Sequence, residues 1–556
     1  MQKLHAHFNP SNTPQSQPIP GTDQVKMASG GYGWQVSDMT VLDRFLILGT
    51  EGGTYYVNEK KLTQVTATKV LSLIKADGEA VVKRVVEISE GGRAPKNDPA
   101  LYVLALAATF GDKDTKEYAY LALPRVARIG THLFHFMEYR KALGHLGGNG
   151  FKRALARWYN DKDADKLAYQ VIKYQQRDGW SHKDVLRLGH PKPASPLHES
   201  IYRYAIKGRQ HDLYKRPDDV PEALQQIWAF ERIKSGISVQ EMIALISAYR
   251  LPHECVPNEV KNKPEIWEAL VPTMPLGALI RNLAKLSSLG LLTNTSIMTQ
   301  YVAEKLVNTE LIKKARLHPI AFLFALTTYV QGHGVKGSLT WDPCGKISDA
   351  LSGGFLAAFG AVTPTNKSLC LGLDVSGSMG SPVLNSHLSC RQAAAAMALV
   401  TMNVEPKYEI LGFTSGASLR GNRILKSTKT GWGIGSYGVS PLNISPKQRL
   451  DDIIRYVASL SFGGTDCALP ILWATEHKVP IDAFCTFTDN ESWAGPIHVT
   501  QALKNYQQKM GIDAKLIAVA MAANNYSVAD ASDPRQVDVV GFDSDTPHFI
   551  SSFISE

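Results

Sequence analysis

The residues best able to do chemistry in this 556-residue chain are a carboxylate and two hydroxyls at alternate positions. Asp374, Ser376 and Ser378 follow the apolar run 370–373, and Gly377 opens a turn among them. The apolar run predicts a buried strand, so the three oxygens lie together at its carboxyl end, where ligands usually bind in an open α/β sheet. Oxygen ligands that carry little charge suit a hard divalent cation such as Mg²⁺.

Two later segments extend this pattern. The glycine turn 463–466 offers the hydroxyl of Thr465 before a predicted helix, and the apolar run 484–488 ends at Asp489. The ordered set D-x-S-x-S…T…D resembles the metal-ion-dependent adhesion site of von Willebrand factor A-type domains. That resemblance implies one Mg²⁺, or another divalent cation, with a position left for a partner's carboxylate. Its ligands, direct or through water, would be Asp374, Ser376, Ser378, Thr465 and Asp489. The alternative is a degenerate site that keeps the fold without binding metal.

The last 190 or so residues alternate between strand and helix patterns. This alternation predicts a parallel sheet that is covered by helices on both faces. The predicted strands are 367–373, 408–413, 483–488, 515–520 and 537–542, and the predicted helices are 390–402, 450–460, 468–476 and 499–510. Chain order and the metal motif therefore agree on one α/β domain.

Residues 63 to 359 carry apolar side chains almost throughout at the i, i+3, i+4 spacing of amphipathic helices. Consecutive helices with short breaks and almost no strand pattern predict an α-solenoid of stacked helix pairs. A compact multi-helix bundle is the alternative, because no repeat consensus is visible. Residues 1–30 contain Pro, Gln, Ser and His but no apolar core, and we expect a flexible leader there.

The net charge of +9 is distributed unevenly. Residues 121–210 hold 17 Lys and Arg against 7 Asp and Glu, whereas residues 361–556 hold 15 against 17. A local positive excess with interleaved aromatic residues indicates a polyanion partner, most often nucleic acid. A solvated basic face without a partner is the alternative.

Several compositional features place the chain among proteins of a reducing compartment. The six cysteines are scattered without a C-x-x-C pair, which favours a reducing cytosol and argues against disulfides or zinc. No apolar run is long enough to span a membrane.

The segment 414–449 is rich in Gly and Ser and has six Lys and Arg but no acidic residue. We expect a long surface loop there, either a tolerated insertion or a contact for RNA or a partner.

The helical part also carries a recognisable stretch. Residues 173–191, KYQQRDGWSHKDVLRLGHP, resemble the signature region of the Ro 60-kDa autoantigen family, whose N-terminal module is the TROVE domain. Supporting segments are 34–36, 44–56, 274–276, 281–283, 314–319, 463–467 and 487–491. The resemblance is collinear over nearly the whole chain and implies a leader at 1–30, a TROVE domain at 31–362 and an A-type domain at 363–556.

The resemblance also implies a function. Family members form a ring of HEAT-like helical repeats whose ends are joined by the A-type domain. They bind Y RNA on an outer basic surface, here through Lys173, Arg177 and His190, and single-stranded 3′ ends of misfolded RNA in the central hole. A bacterial branch is implied, in which Y RNA tethers a cytoplasmic, monomeric protein to polynucleotide phosphorylase for RNA decay.

The basic residues make physical sense as RNA contacts. Lys173 and Arg177 are four apart and would share one face of a helix, at a spacing that suits two phosphates. Ser181 is a plausible N-cap for a following helix that carries Lys183 and Arg187. Arg153 extends the basic patch.

No catalytic constellation is visible, and we expect a scaffold rather than an enzyme. Two other functions remain open. One is a metal-dependent protein-adhesion module with the helices as a spacer. The other is a metal-dependent nuclease, which is disfavoured because two-metal chemistry needs more carboxylates.

Overall fold

A computed structural model of the chain describes residues 12–50, 54, 56–208, 219–335, 337–383, 386–415, 438–460 and 463–556. These residues form two compact units. The A-domain unit comprises the described residues within 1–70, 93–95 and 355–556, and the helical unit comprises those within 71–92 and 96–354. The sequence predicted that one domain ends and the next begins at residue 362. In the structure the described residues up to 70 also belong to the same compact unit as the C-terminal part of the chain.

Helices dominate the first two thirds of the described chain. In chain order they are α1 (Asp38–Leu48), α2 (Glu59–Gly91), α3 (Asp98–Phe110), α4 (Lys113–Val126), α5 (Gly130–Ala142), α6 (Asn149–Asn160), α7 (Ala164–Lys173), α8 (His182–Gly189), α9 (Pro196–Lys207), α10 (Gln225–Lys234), α11 (Val239–Tyr249), α12 (Pro264–Leu270), α13 (Leu276–Ser288), α14 (Ile297–Val307), α15 (Thr309–Ala315), α16 (Pro319–Val330), α17 (Gly345–Ala357), α18 (Cys390–Val404), α19 (Leu450–Ala458), α20 (Leu469–His477), α21 (Val499–Met510) and α22 (Thr546–Ser555).

The strands are shorter and lie mostly in the A-domain unit. They are β1 (Val25–Lys26), β2 (Tyr32–Gln35), β3 (Gln176–Arg177), β4 (Trp180–Ser181), β5 (Ser368–Asp374), β6 (Lys407–Phe413), β7 (Val439–Pro441), β8 (Ala483–Thr488), β9 (Lys515–Ala520), β10 (Tyr526–Ser527) and β11 (Gln536–Val540).

The main sheet of the A-domain unit has the order β11-β9-β8-β5-β6-β7. Every pairing is parallel except that of β6 with β7. Residues 369–374 of β5 are all buried, so both faces of this central strand are covered, as a parallel sheet requires. The five predicted strands and the α/β class are confirmed. Strand β7 falls within the predicted loop 414–449, of which residues 416–437 lie outside the described residues.

The predicted flexible leader is wrong over its described part, because residues 12–30 pack within the A-domain unit. Gln15 is 1% exposed, and its Nε2 donates to Oδ1 of Asp466 and to the carbonyl of Ile497, each at 2.8 Å. Strand β2 pairs with β1 on one side and with β10 on the other. A segment rich in polar residues looks like a linker in the sequence. Here the side-chain amide of Gln15 instead forms hydrogen bonds with buried polar groups of the A domain.

Helix α1 was not predicted, because the helical pattern in the sequence begins only at residue 63. Ser37 caps its first turn by accepting from the backbone N–H of Thr40. Arg44 of this helix is fully buried, and its guanidinium makes two 2.7 Å contacts with the carboxylate of Asp538. Nothing in the sequence marks Arg44 as buried, yet it forms a buried ion pair.

The helical unit follows the predicted succession of helices. In its N-terminal half, from α3 to α9, the close helix contacts are with the next helix in the chain or the next but one, except that α7 also contacts α10. Helix α8 begins at a capping box between Ser181 and Asp184, which confirms Ser181 as its N-cap. The HEAT-like repeat and the ring stay predictions. Among the described residues no helix is both long and apolar enough to cross a membrane, and all six cysteines are buried free thiols.

Candidate metal site and nucleic-acid-binding surface

The residues of the predicted metal site come together at the carboxyl end of β5. Asp374 ends the strand, and its Oδ1 accepts a 2.9 Å hydrogen bond from the backbone N–H of Ser376. The hydroxyls of Ser376 and Ser378 lie 3.1 Å apart, and the Ser378 side chain bonds the carboxylate of Asp489, which follows β8. Because β5 and β8 are adjacent and parallel, their two terminal carboxylates meet at one edge of the sheet.

Thr465 belongs to a second loop that is attached to the first. The backbone N–H of Gly377 donates to the carbonyl of Gly463 at 3.1 Å, which joins the D-x-S-x-S turn to the glycine turn. Behind the glycine turn, the Thr414 hydroxyl donates to the carbonyl of Gly464 at 2.8 Å. The D-x-S-x-S turn, the glycine turn that carries Thr465 and the segment after β6 are therefore joined at one edge of the sheet.

The electrostatics of the site call for a cation. Asp374 is 0% and Asp489 is 3% exposed. The nearby guanidinium of Arg391, which attracts Asp374, supplies one positive charge against these two carboxylates. Burial, and then repulsion by Asp489, raises the pKa of Asp374 to about 7. Burial also raises the pKa of Asp489. Two neighbouring buried carboxylates are costly unless positive charge compensates them.

The donor set fits a hard divalent cation. The Thr465 hydroxyl is fully buried and has no hydrogen-bond partner among the described residues, so its oxygen is available as a ligand. The described residues contain no cluster of three His, Cys, Asp or Glu side chains arranged for a metal. The candidate site therefore consists of two carboxylates and three hydroxyls, a composition that favours Mg²⁺ over zinc or copper.

One residue of this site escaped the sequence analysis. The Thr488 hydroxyl donates to Oδ2 of Asp374 at 2.7 Å and so orients that carboxylate. The available signal was its position at the end of an apolar strand, directly before the predicted ligand Asp489. Groups that orient a metal's ligands commonly determine its affinity as well.

The predicted shared helix face of Lys173 and Arg177 is wrong. Lys173 is the last residue of α7, whereas Arg177 lies in the two-residue strand β3 of a small hairpin. The Lys173 amine is half-buried, 3.0 Å from the Tyr169 hydroxyl and 5.1 and 5.3 Å from the ring centres of Tyr169 and Tyr174. Burial lowers the pKa of Lys173. Arg177 is exposed and lies 3.6 Å from the Asp178 carboxylate.

The other predicted basic residues are exposed. Lys183 and Arg187 are exposed and lie one turn apart on α8, as their spacing predicted, and Val185 on the opposite face is buried. His190 follows as the C-cap in the left-handed conformation, with φ of 45°, and its ring is exposed. Arg153 is exposed on α6, which packs between α4 and α8. Exposed basic side chains therefore lie on the neighbouring helices α6 and α8 and on the hairpin, and Lys173 is less exposed than they are.

Comparison with known proteins agrees with this architecture. The TROVE domain family matches residues 25–330, and the Ro60 vWA domain family matches residues 368–554. The chain is 38% identical over 557 residues to the RNA-binding protein RO60 of Deinococcus radiodurans, covering 100% of this chain and 99% of that protein. It is 35% identical over 606 residues to the RNA-binding protein RO60 of Caenorhabditis elegans, covering 96% and 90%.

A solved structure gives the same answer at the level of the fold. The crystal structure of the Deinococcus radiodurans RO (RSR) protein superposes with a TM-score of 0.67 at 38% identity, over 93% of this chain and 99% of that one. Both domains and their order are shared. This chain therefore belongs to the Ro60 family, in which a TROVE domain precedes a von Willebrand factor A-type domain.

Proposed function

We propose that this protein is the RNA-binding scaffold of a Ro ribonucleoprotein. The observation that carries the proposal is full-length similarity to proteins named for RNA binding, together with a basic surface on the matching helical domain. Exposed Arg177, Lys183, Arg187 and His190 supply cations and hydrogen-bond donors without a deep pocket. Such a surface suits the phosphates and the shape of a folded RNA better than a small molecule.

The test is a binding titration with a stem-loop RNA that carries a single-stranded 3′ tail. The variant Arg177→Gln/Lys183→Gln/Arg187→Gln removes three exposed cations, and we expect roughly tenfold or weaker binding and a salt slope lower by about 2 to 3. The matched control Lys75→Gln/Lys83→Gln removes two exposed cations of α2 from the same unit. Equal affinities for wild type and the triple variant would contradict the assignment of this surface.

Within that function, the basic surface would bind Y RNA, and a central hole would take 3′ ends of misfolded or structured RNA. Y RNA would then connect the protein to polynucleotide phosphorylase, and the scaffold would serve RNA quality control. A structured RNA whose 3′ tail has been trimmed should bind more weakly than the tailed form and should leave Y RNA binding unchanged. Equal affinity for tailed and trimmed RNA would argue against a separate site for 3′ ends.

A second function is supported by the A-domain site. We propose that Asp374, Ser376, Ser378, Thr465 and Asp489 hold Mg²⁺, which when bound supplies an open coordination position for a carboxylate of a protein partner. Thr488 would keep the Asp374 carboxylate oriented, and burial would keep bulk water from competing for it. Chelation of Mg²⁺ and the variant Asp374→Ala should each abolish capture of such a partner while RNA binding persists. If neither manipulation changes the proteins that co-purify, the site is structural.

A further inference from the structure

A groove between α4 and α6 concentrates positive charge in the helical unit. Among the residues that line it are Lys113 and Lys116 from α4 and Arg153 and Arg157 from α6. None of the four forms an ion pair among the described residues, and one carboxylate, Glu117, also lines the groove. Four cations that converge on one concave surface repel one another, and Glu117 together with Asp112, which interacts with Lys116, offsets only part of that charge unless an anion is bound.

The end of α6 that opens into this groove adds a fixed positive potential. The helix is preceded by Gly147 and Gly148, and its N-cap Gly148, at φ of 99°, has no side chain with which to accept from the first turn. Gly150 lines the groove, and a Cβ there would lie 3.0 Å from Cε2 of Tyr120, so a side chain at this position would require the Tyr120 ring to shift. The free N–H groups and dipole of a helix start favour phosphate.

A buried guanidinium lies behind the same tyrosine. Arg140 of α5 is 3% exposed, and no described carboxylate pairs with it. Its amino groups bond the hydroxyls of Thr109 and Tyr120, and its Cζ lies 6.0 and 5.4 Å from the ring centres of Tyr120 and Phe151. Its Nε has no hydrogen-bond partner within the described part of the chain. A buried cation without a counter-charge costs free energy that a nearby anion would offset.

We propose that the α4–α6 groove is a phosphate-binding site that seats the RNA backbone. The proposal rests on the RNA-binding function above and adds a contact outside the hairpin and α8. Lys113, Lys116, Arg153 and Arg157 contact phosphate oxygens, and the first turn of α6 donates backbone N–H groups. The phosphate charge compensates Arg140 across the Tyr120 ring. Base identity plays no part, because every contact is to the backbone.

The first experiment compares a groove variant, a control and the variant Arg177→Gln/Lys183→Gln/Arg187→Gln described above in the tailed stem-loop titration. The groove variant Lys113→Gln/Lys116→Gln/Arg157→Gln should bind roughly tenfold or more weakly, with a salt slope lower by about 2 to 3. The control Lys75→Gln/Lys83→Gln should stay within about twofold of wild type, since these two cations do not line the groove and change only the general field. Circular dichroism and thermal melting establish that each variant is folded.

The outcomes separate the two proposals. If the groove variant binds like wild type while Arg177→Gln/Lys183→Gln/Arg187→Gln binds weakly, the groove proposal is overturned and RNA binding stands. If wild type itself does not bind RNA, both are overturned.

A second measurement uses only the wild-type chain and so does not depend on how the variants fold. Bound RNA should protect Lys113 and Lys116 from acetylation, read by mass spectrometry, and leave Lys75 and Lys83 reactive. Inorganic phosphate at equal phosphate concentration should protect them less, because a tethered chain of phosphates gains from multivalency. Protection by inorganic phosphate without protection by RNA would overturn the assignment to RNA, and protection by neither would overturn the site.

Discussion

The charge balance of the A-domain site predicts that Asp374→Asn has opposite effects on stability with and without Mg²⁺. In the absence of metal, wild type holds two buried carboxylates and one nearby guanidinium, that of Arg391, so one negative charge remains uncompensated. An uncompensated buried charge costs about 3 kcal/mol or more, and the substitution removes one of the two charges. With saturating Mg²⁺ the substitution instead removes a ligand.

The magnitudes follow from the contacts of Asp374. The amide oxygen that the substitution introduces would keep one acceptor, but the bond from the Thr488 hydroxyl is lost or reversed, which costs about 1 kcal/mol. We therefore expect the metal-free variant to be about 2 kcal/mol more stable than metal-free wild type at pH 8, where the Asp374 pKa of about 7 leaves it ionised. Wild type at about 100 times the Mg²⁺ dissociation constant gains about 2.7 kcal/mol, a gain that the variant lacks.

The assay must report on the A domain alone, because the chain has two compact units. Hydrogen-exchange mass spectrometry across a urea series, read on peptides of β5 and β8, gives the local opening free energy with EDTA and with Mg²⁺. The control Glu476→Gln removes an exposed carboxylate of α20 and should leave the local opening free energy unchanged both with EDTA and with Mg²⁺. The reasoning would be refuted if metal-free Asp374→Asn were less stable than wild type, or if wild type did not respond to divalent cations.

Two predictions concern the stability of the separate units. Arg44→Met leaves Asp538 without its buried partner and should destabilise the A-domain unit by about 3 to 5 kcal/mol in urea unfolding, whereas Arg44→Met/Asp538→Leu should recover part of that loss; equal losses in the two variants would contradict a role for the ion pair. Burial lowers the pKa of His182, whose Nδ1 lies 2.9 Å from the Tyr159 hydroxyl, to about 4. Because the pKa of His182 is lower in the folded than in the unfolded chain, the helical unit keeps its full stability above about pH 6.5 and loses up to about 3 kcal/mol toward pH 4. The variant His182→Asn should flatten this loss of stability between about pH 6.5 and pH 4. An unchanged pH profile would exclude His182 as the source of the loss.

Much of the fold was predictable because its signals are local. Continuous apolar runs predicted β5, β6, β8 and β9 within one residue of their observed ends, since a buried parallel strand needs such a run whatever its neighbours are. The capping box at Ser181 and Asp184 likewise depends on residues three apart. The candidate metal motif was readable for the same reason: Asp374 and Asp489 end or directly follow apolar strands, and Thr465 lies in a glycine turn before a predicted helix.

The misses are contacts between residues far apart in the chain. Gln15 reaches Asp466, and Arg44 reaches Asp538, so a polar leader and an ordinary helix became parts of the A-domain unit. Lys173 seemed equivalent to Arg177 by spacing, but the chain leaves the helix between them, and aromatic neighbours hold the lysine amine.

The sequence by itself therefore determined the family, the order of the two domains and the ligand types of Asp374-Val375-Ser376-Gly377-Ser378, because these depend on residue type and short spacing. Only the tertiary structure decided which charges are compensated. It joined Asp374 to Asp489, left Arg140 buried without a carboxylate, and gathered Lys113, Lys116, Arg153 and Arg157 around one groove. Charge compensation depends on burial and distance, and neither can be read from positions along a chain.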